Sequence, residues 1–174
     1  LDLTKNRLTD VGGGILAKAI QRNESLRRLV LEGNLITCEG IARICEAVTN
    51  SKLQILKLGK LDLSERGVAA VAVMLENPHC PLRKLDLRSC KLRDSGAIEI
   101  FARALKSSNN VSSLEYLCLG RNELGDTEIR EIVAALCHNN KLQVLDLQYN
   151  TFTDSGLQSL ISCLKSSNDT LKKL

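Results

Sequence analysis

Leu26-Arg27-Arg28-Leu29-Val30-Leu31-Glu32-Gly33-Asn34-Leu35-Ile36 decides the fold: leucine at the first, fourth and sixth places, asparagine at the ninth, an aliphatic residue at the eleventh. The spelling returns from Leu82 to Cys90 and Leu92, from Leu114 to Asn122 and Leu124, and from Leu142 to Asn150 and Phe152. A degraded copy runs from Leu53 to Leu63, and partial copies begin at Leu1 and Leu171. A fixed period of this kind specifies a solenoid, because each unit can bury its apolar face only against its neighbours.

The fourth-place leucines are Leu1, Leu29, Leu56, Leu85, Leu117, Leu145 and Leu174, separated by 28, 27, 29, 32, 28 and 29 residues, which makes six units. Each unit has room for one strand, one helix and two loops. In the strand half, Leu85 and Leu87 point one way while Lys84, Asp86 and Arg88 point the other. Asn6, Asn34, Asn122 and Asn150 turn the chain out of the strand, with amides suited to loop backbone groups. Six residues past that place stands Gly12, Gly40, Gly67, Gly96 or Gly156. Two residues before that glycine place stands Asp10, Asp94, Asp126 or Asp154, suited to capping a helix. The period then becomes helical: Ile41, Ile44, Cys45 and Val48, then Ile129, Ile132, Val133 and Leu136, then Leu157, Leu160, Ile161 and Leu164. The expected fold is an α/β horseshoe, with a parallel sheet on the concave side and helices on the convex side. Residues 1–174 form one repeat domain. Leu61 sits where the asparagine is due, and the longest unit carries extra polar residues near Lys106–Ser113.

Composition bounds the function. A net charge of +4 comes from 24 basic and 20 acidic residues spread along the chain, with no basic stripe, no Trp and only two Phe and two Tyr. That balance points away from nucleic acid. No membrane-length apolar run and no signal peptide are present. Seven cysteines without a C-x-x-C pair read as free thiols in a reducing cytoplasm. Against this stand three glycosylation triplets, at Asn23, Asn110 and Asn168. His79 beside Cys80 and His138 beside Cys137 close helices; neither pair reads as a catalytic dyad, nor do the four residues read as a metal site. Gly12-Gly13-Gly14 lacks the Lys-Ser/Thr of a phosphate loop. No catalytic residue, cofactor or metal is assigned, and the chain is not expected to be an enzyme.

The repeat motif, with a helix in each 28- or 29-residue unit and Asp-Ser-Gly at 94–96 and 154–156, resembles the ribonuclease-inhibitor-like class of leucine-rich repeats over the whole chain. Relatives of that class include ribonuclease inhibitor, Ran GTPase-activating proteins, the sensor regions of intracellular nucleotide-binding immune receptors and secreted bacterial effectors. The resemblance implies a protein partner on the concave sheet and adjoining loops. It also implies capping units, which neither end shows, so the chain reads as a fragment able to associate through uncapped ends.

The outward strand rows are then the candidate site. The first is Arg28, Ile55, Lys84, Tyr116, Val144 and Lys173, and the second is Asp2, Val30, Lys57, Asp86, Cys118 and Asp146. A third holds Thr4, Glu32, Gly59, Arg88, Gly120 and Gln148, and an edge row includes Arg121 and Tyr149. Tyr116, Tyr149, Arg121, Arg88, Lys84, Asp86, Val144 and Asp146 are the expected contacts, with Gly59 and Gly120 as gaps for a partner's side chains. The reading is a protein-recognition module, the sensor or autoinhibitory part of a larger receptor. A regulator of a small GTPase, an isolated or engineered scaffold, and an effector stay open as alternatives.

Overall fold

The computed structural model describes residues 1–92, 96–107, 113–166 and 168–173. Helix and strand alternate: α1 (Asp10–Arg22), β1 (Arg28–Val30), α2 (Cys38–Thr49), β2 (Ile55–Lys57), α3 (Glu65–Glu76), β3 (Lys84–Asp86), α4 (Ala97–Ser107), β4 (Tyr116–Cys118), α5 (Asp126–Leu136), β5 (Val144–Asp146) and α6 (Asp154–Ser166). The strands pair in parallel in chain order, and single bridges from Asp2 to Val30 and from Val144 to Lys173 extend the sheet at both ends. Leu29, Leu56, Leu85, Leu117 and Leu145 stand in register and are 0% exposed. Behind them lie the apolar faces of the helices, which makes a core two layers thick. The insertion near 106–113 falls largely outside the described residues.

The asparagines tie units together rather than serving only their own turn. The Asn34 side-chain amide donates to the Leu31 carbonyl of its own unit and to the Leu3 carbonyl of the unit before, while its oxygen accepts from Leu8 N–H. Asn122 repeats this with Leu119, Leu87 and Cys90, and Asn150 with Leu147, Leu119 and Leu124. Where Cys90 replaces the asparagine, its thiol faces the Leu58 carbonyl at 3.4 Å and the Arg88 carbonyl at 3.5 Å. Burial pushes that thiol up to about 12, which keeps the proton it donates. Leu61 does without a polar group and is buried in the core.

The aspartates cap helices, but not their own. Asp10 accepts from Thr37 N–H at 2.8 Å, Thr37 Oγ1 at 2.7 Å and Gly40 N–H at 3.0 Å, all at the start of α2 in the next unit. Asp126 does the same for α6, through Thr153 N–H, Thr153 Oγ1 and Gly156 N–H. Burial works to raise the Asp10 carboxyl, yet the bonds from Thr37 and Gly40 win and hold it below the usual carboxylate range. Bonds from Thr153, backbone first, lower Asp126 as well. At Gly40 and Gly156 the glycine follows from this docking. A Cβ on Gly40 would lie 2.6 Å from Asp10 Oδ1, and one on Gly156 would lie 2.7 Å from Asp126 Oδ1. The one unit without that glycine has Glu128 instead, whose carboxylate reaches back to Gly125 N–H at 2.8 Å and closes its own helix start. Asp94 and Ser95 lie outside the described residues.

A second set of asparagines closes the other loop. Asn23, Asn77, Asn139 and Asn168 accept from N–H groups two or three residues on, where the chain leaves a helix for the next strand. Asn168 is buried and its amide nitrogen donates to the Leu136 and Asn139 carbonyls, so its glycosylation triplet is a by-product of the turn. Asn23 is exposed, and Asn110 lies outside the described residues. At the ends of the array, helix faces stay bare. Leu157 and Ile161 on α6 are 44% and 40% exposed, although the matching Ile41 and Cys45 of α2 are buried. On α1, Val11 and Ile15 are 72% and 65% exposed.

Candidate protein-binding face

The register brings the expected rows together. Arg28, Ile55, Lys84, Tyr116 and Val144 are successive partners across the sheet, with Lys173 bridged to Val144. One step on, Asp2, Val30, Lys57, Asp86, Cys118 and Asp146 form the second row. Asp2, Asp86 and Asp146 each accept the N–H two residues further along, which fixes Thr4, Arg88 and Gln148 in the third row.

The C-terminal half of the face is locked by its own side chains. Arg88, two residues past the end of β3, reaches over β4 to Asp146 on β5, with Nη2 at 2.9 Å from Oδ2. On the way it covers the Cys118 sulfur at 3.5 Å, and that thiol in turn lies 3.4 Å from the same carboxylate oxygen. Cys118 is 0% exposed and burial pushes its thiol up to about 11. The gap expected above Gly120 is therefore filled, since a Cβ there would meet Arg88 Nε at 3.6 Å. Above Gly59 the Glu32 side chain lies at 3.4 Å, on its way to Lys60 at 2.7 Å. Both glycines make room for long side chains of this chain, not for those of a partner.

Tyr116 is half-buried between Lys84 and Val144, and burial raises its phenol. Tyr149 is 70% exposed and lies under Arg121, whose guanidinium carbon is 4.1 Å from the ring centre. Arg121 and Tyr149 belong to the edge row read from the sequence, whose left-handed backbone sequence reasoning missed. Lys5, Gly33, Lys60, Ser89, Arg121 and Tyr149 have φ between 53° and 69° and occupy the same place in six units. Five of the six donate their N–H to a carbonyl in the next unit, from Lys5 N–H to Glu32 through Arg121 N–H to Gln148. Those bonds prolong the parallel ladder past the strands and offset a left-handed cost of about 1–2 kcal/mol per non-glycine residue. Only Gly33 signalled the turn in the sequence.

Toward β1, the face opens into a groove of about 200 Å³ lined by Arg28, Ile55, Lys57, Lys84, Asp86 and Tyr116, among others. A larger depression of about 420 Å³ lies on the convex side between α2 and α3, where Ala42, Ala69 and Ala70 leave space beside Val73. The histidines sit apart from both: His138 Nδ1 contacts the Ala134 carbonyl at 3.0 Å, and His79 follows the Asn77 turn. Among the described residues, no group of three His, Cys, Asp or Glu side chains could hold a metal ion.

A parallel one-strand, one-helix repeat joined by asparagine ladders defines a leucine-rich repeat solenoid, and residues 79–101 and 138–160 match the Leucine Rich repeat family. The chain is a leucine-rich repeat protein of the ribonuclease-inhibitor-like class. It is 35% identical over 179 residues to NACHT, LRR and PYD domains-containing protein 3 of Bos taurus, covering 100% of this chain and 17% of that protein. It is 31% identical over 170 residues to the ribonuclease inhibitor of Sus scrofa, covering 96% of this chain and 36% of the inhibitor. The chain thus spans well under half the length of these relatives. In fold it is similar to leiomodin-1 actin-binding site 2, with a TM-score of 0.69 at 19% identity over 87% of this chain and 86% of that one.

Proposed function

We propose that this chain is a protein-recognition module that engages its partner on the concave sheet, as the sensor or autoinhibitory part of a larger receptor of the NACHT, LRR and PYD kind. The coarser statement, a protein-binding repeat module, follows from the family. The observation that carries the finer one is the first strand row. Ile55, Tyr116 and Val144 stand half-buried beside exposed Arg28 and Lys84 on a sheet fixed by its ladder, a mixture of apolar, aromatic and arginine surface typical of interface centres. Tyr116, Val144, Lys84 and Asp86 are proposed as direct contacts, and Arg121 with Tyr149 as a preformed rim. Arg88 and Asp146 hold one another and act by shaping the floor. That pairing, with Arg121 seated on Tyr149, also lowers the appeal of a GTPase-regulating arginine at either place.

A reducing, cytoplasmic setting is part of the proposal. Five of the seven cysteines are buried in the core or under Arg88, and the Asn168 triplet is closed to a glycan. Among the described residues, no helix is long and apolar enough to cross a membrane.

The test is position-dependent photocrosslinking. Benzoylphenylalanine placed at Tyr116 or Val144 should give one shared adduct in cytosolic extract, competed by unmodified chain. The same probe at convex Val73, 68% exposed, should not. An adduct strongest from Val73 would move the site to the helices.

A further inference from the structure

Resting on that reading of the concave sheet, we infer that the partner segment is an acidic helix, with two carboxylates spaced to meet Arg28 and Lys84 and an apolar side chain between them for Ile55. The basis is an imbalance on the face. Every acid of the second and third rows is engaged by its own chain. Asp2 accepts from Thr4 N–H and Oγ1, and Asp86 accepts from Arg88 N–H with Lys57 at 3.9 Å. Asp146 holds Arg88, and Glu32 holds Lys60. Glu115, at the foot of the face, is tied to Arg83 at 3.0 Å. Among the described residues, Arg28, Lys84 and Lys173 enter no ion pair, and all three are exposed in the first row. Asp86, Asp146 and Glu32 are thus matched by cations of their own chain, and Asp2 apart, which keeps its charge in the field of Arg28, the face offers positive charge outward.

Spacing narrows the ligand. Arg28 and Lys84 flank Ile55 in register, one strand away on each side. Two strand spacings of about 4.8 Å separate the cations by about 10 Å. On an α-helix, positions i and i+7 share a face and stand about 10.5 Å apart, with i+3 and i+4 between them. An extended peptide fits less well, because same-face residues fall at about 7 or 13 Å. A helix lying across the strands therefore sets its carboxylates on Arg28 and Lys84, with its i+3 or i+4 aliphatic residue over Ile55. A nucleic acid matches this poorly: an apolar floor and the Asp86 carboxylate interrupt the cations, and only one aromatic ring is on hand for stacking.

Panning a phage-displayed random 15-residue peptide library against the whole chain tests this, with binding of the selected peptides measured at low and physiological salt. The expected peptides carry acids seven residues apart around a central aliphatic residue. They should lose affinity about tenfold or more on the R28E/K84E double variant and weaken as salt rises. The exposed convex change R66E should leave them unaffected. Acid-poor peptides that still lose binding on Ile55→Arg would overturn the acidic helix and leave the concave face standing. Peptides indifferent to every concave substitution, or a panning without enrichment, would overturn both. A single-stranded RNA oligomer that binds more tightly than the peptides and needs the same two cations would replace the acidic helix with a polyanion.

Discussion

Exchanging Gly40 for alanine should destabilise the protein, although helix propensity argues the reverse. Inside a helix, alanine is worth about 0.8–1.0 kcal/mol more than glycine. At Gly40, however, the new methyl would lie 2.6 Å from Asp10 Oδ1 and 2.6 Å from Ile36 Cγ2, with Asp10 Cα at 3.2 Å. The carboxylate has to leave, and with it go the bonds to Thr37 N–H, Thr37 Oγ1 and Gly40 N–H. Loss of a cap costs about 0.5–2 kcal/mol, and overpacking against Ile36 about 1–3 kcal/mol. Set against the propensity gain, the net loss is about 1–4 kcal/mol. Gly12 supplies the control, because it holds the same place in α1 without an aspartate docked on it. Its added Cβ would meet only Leu8, at 3.4 Å or more. Gly12→Ala should therefore be neutral or stabilising by up to about 1 kcal/mol. Urea denaturation of the two variants, followed by circular dichroism, decides the matter. If both substitutions shift the midpoint in the same direction by similar amounts, the glycine place does not exist for the incoming carboxylate.

Asn122→Ala should cost about 2–6 kcal/mol by urea denaturation, since it strands the buried Cys90 N–H and Leu87 carbonyl at about 1–3 kcal/mol each. Hydrogen exchange should show the Cys90 amide losing protection first. Arg88→Ala should uncover Cys118, so that a thiol reagent under native conditions labels it at least about tenfold faster than in the parent chain; an unchanged rate would show that something other than Arg88 shields it. Because Asp10 and Asp126 are held below their ordinary range when folded, the stability they contribute is complete above about pH 4 and lost as pH falls further. Urea midpoints measured from pH 5 to pH 2 should fall less steeply in the Asp10→Asn/Asp126→Asn double variant than in the parent.

The leucine rows were legible because their signal is periodic and redundant: a period of two in the strand, near 3.6 in the helix, repeated down the chain. The sheet register followed from that, and with it the neighbours of Tyr116. What stayed hidden lives between units rather than within one. Asp10 reads as the start of its own helix, and nothing in the sequence near it says that its carboxylate serves Thr37, 27 residues away. Gly120 reads as a gap until Arg88 is seen lying over it, an encounter that depends on side-chain reach across two strands. Asn168 and Asn23 form the same triplet, and only burial separates a closed amide from an open one.

The left-handed row bears on how the proposed binding surface could diversify. At Lys5, Lys60, Ser89 and Arg121 the backbone is held by bonds to the neighbouring unit, and there as at Tyr149 the side chains stand at the rim without supporting the core. Letters at these places can be exchanged with little effect on the fold, so new preferences can be written there one unit at a time. The alphabet is restricted, because Val, Ile and Thr tolerate positive φ badly. Gly, Lys, Ser, Arg and Tyr are what the row uses, a vocabulary of long, charged or aromatic side chains and near-blanks.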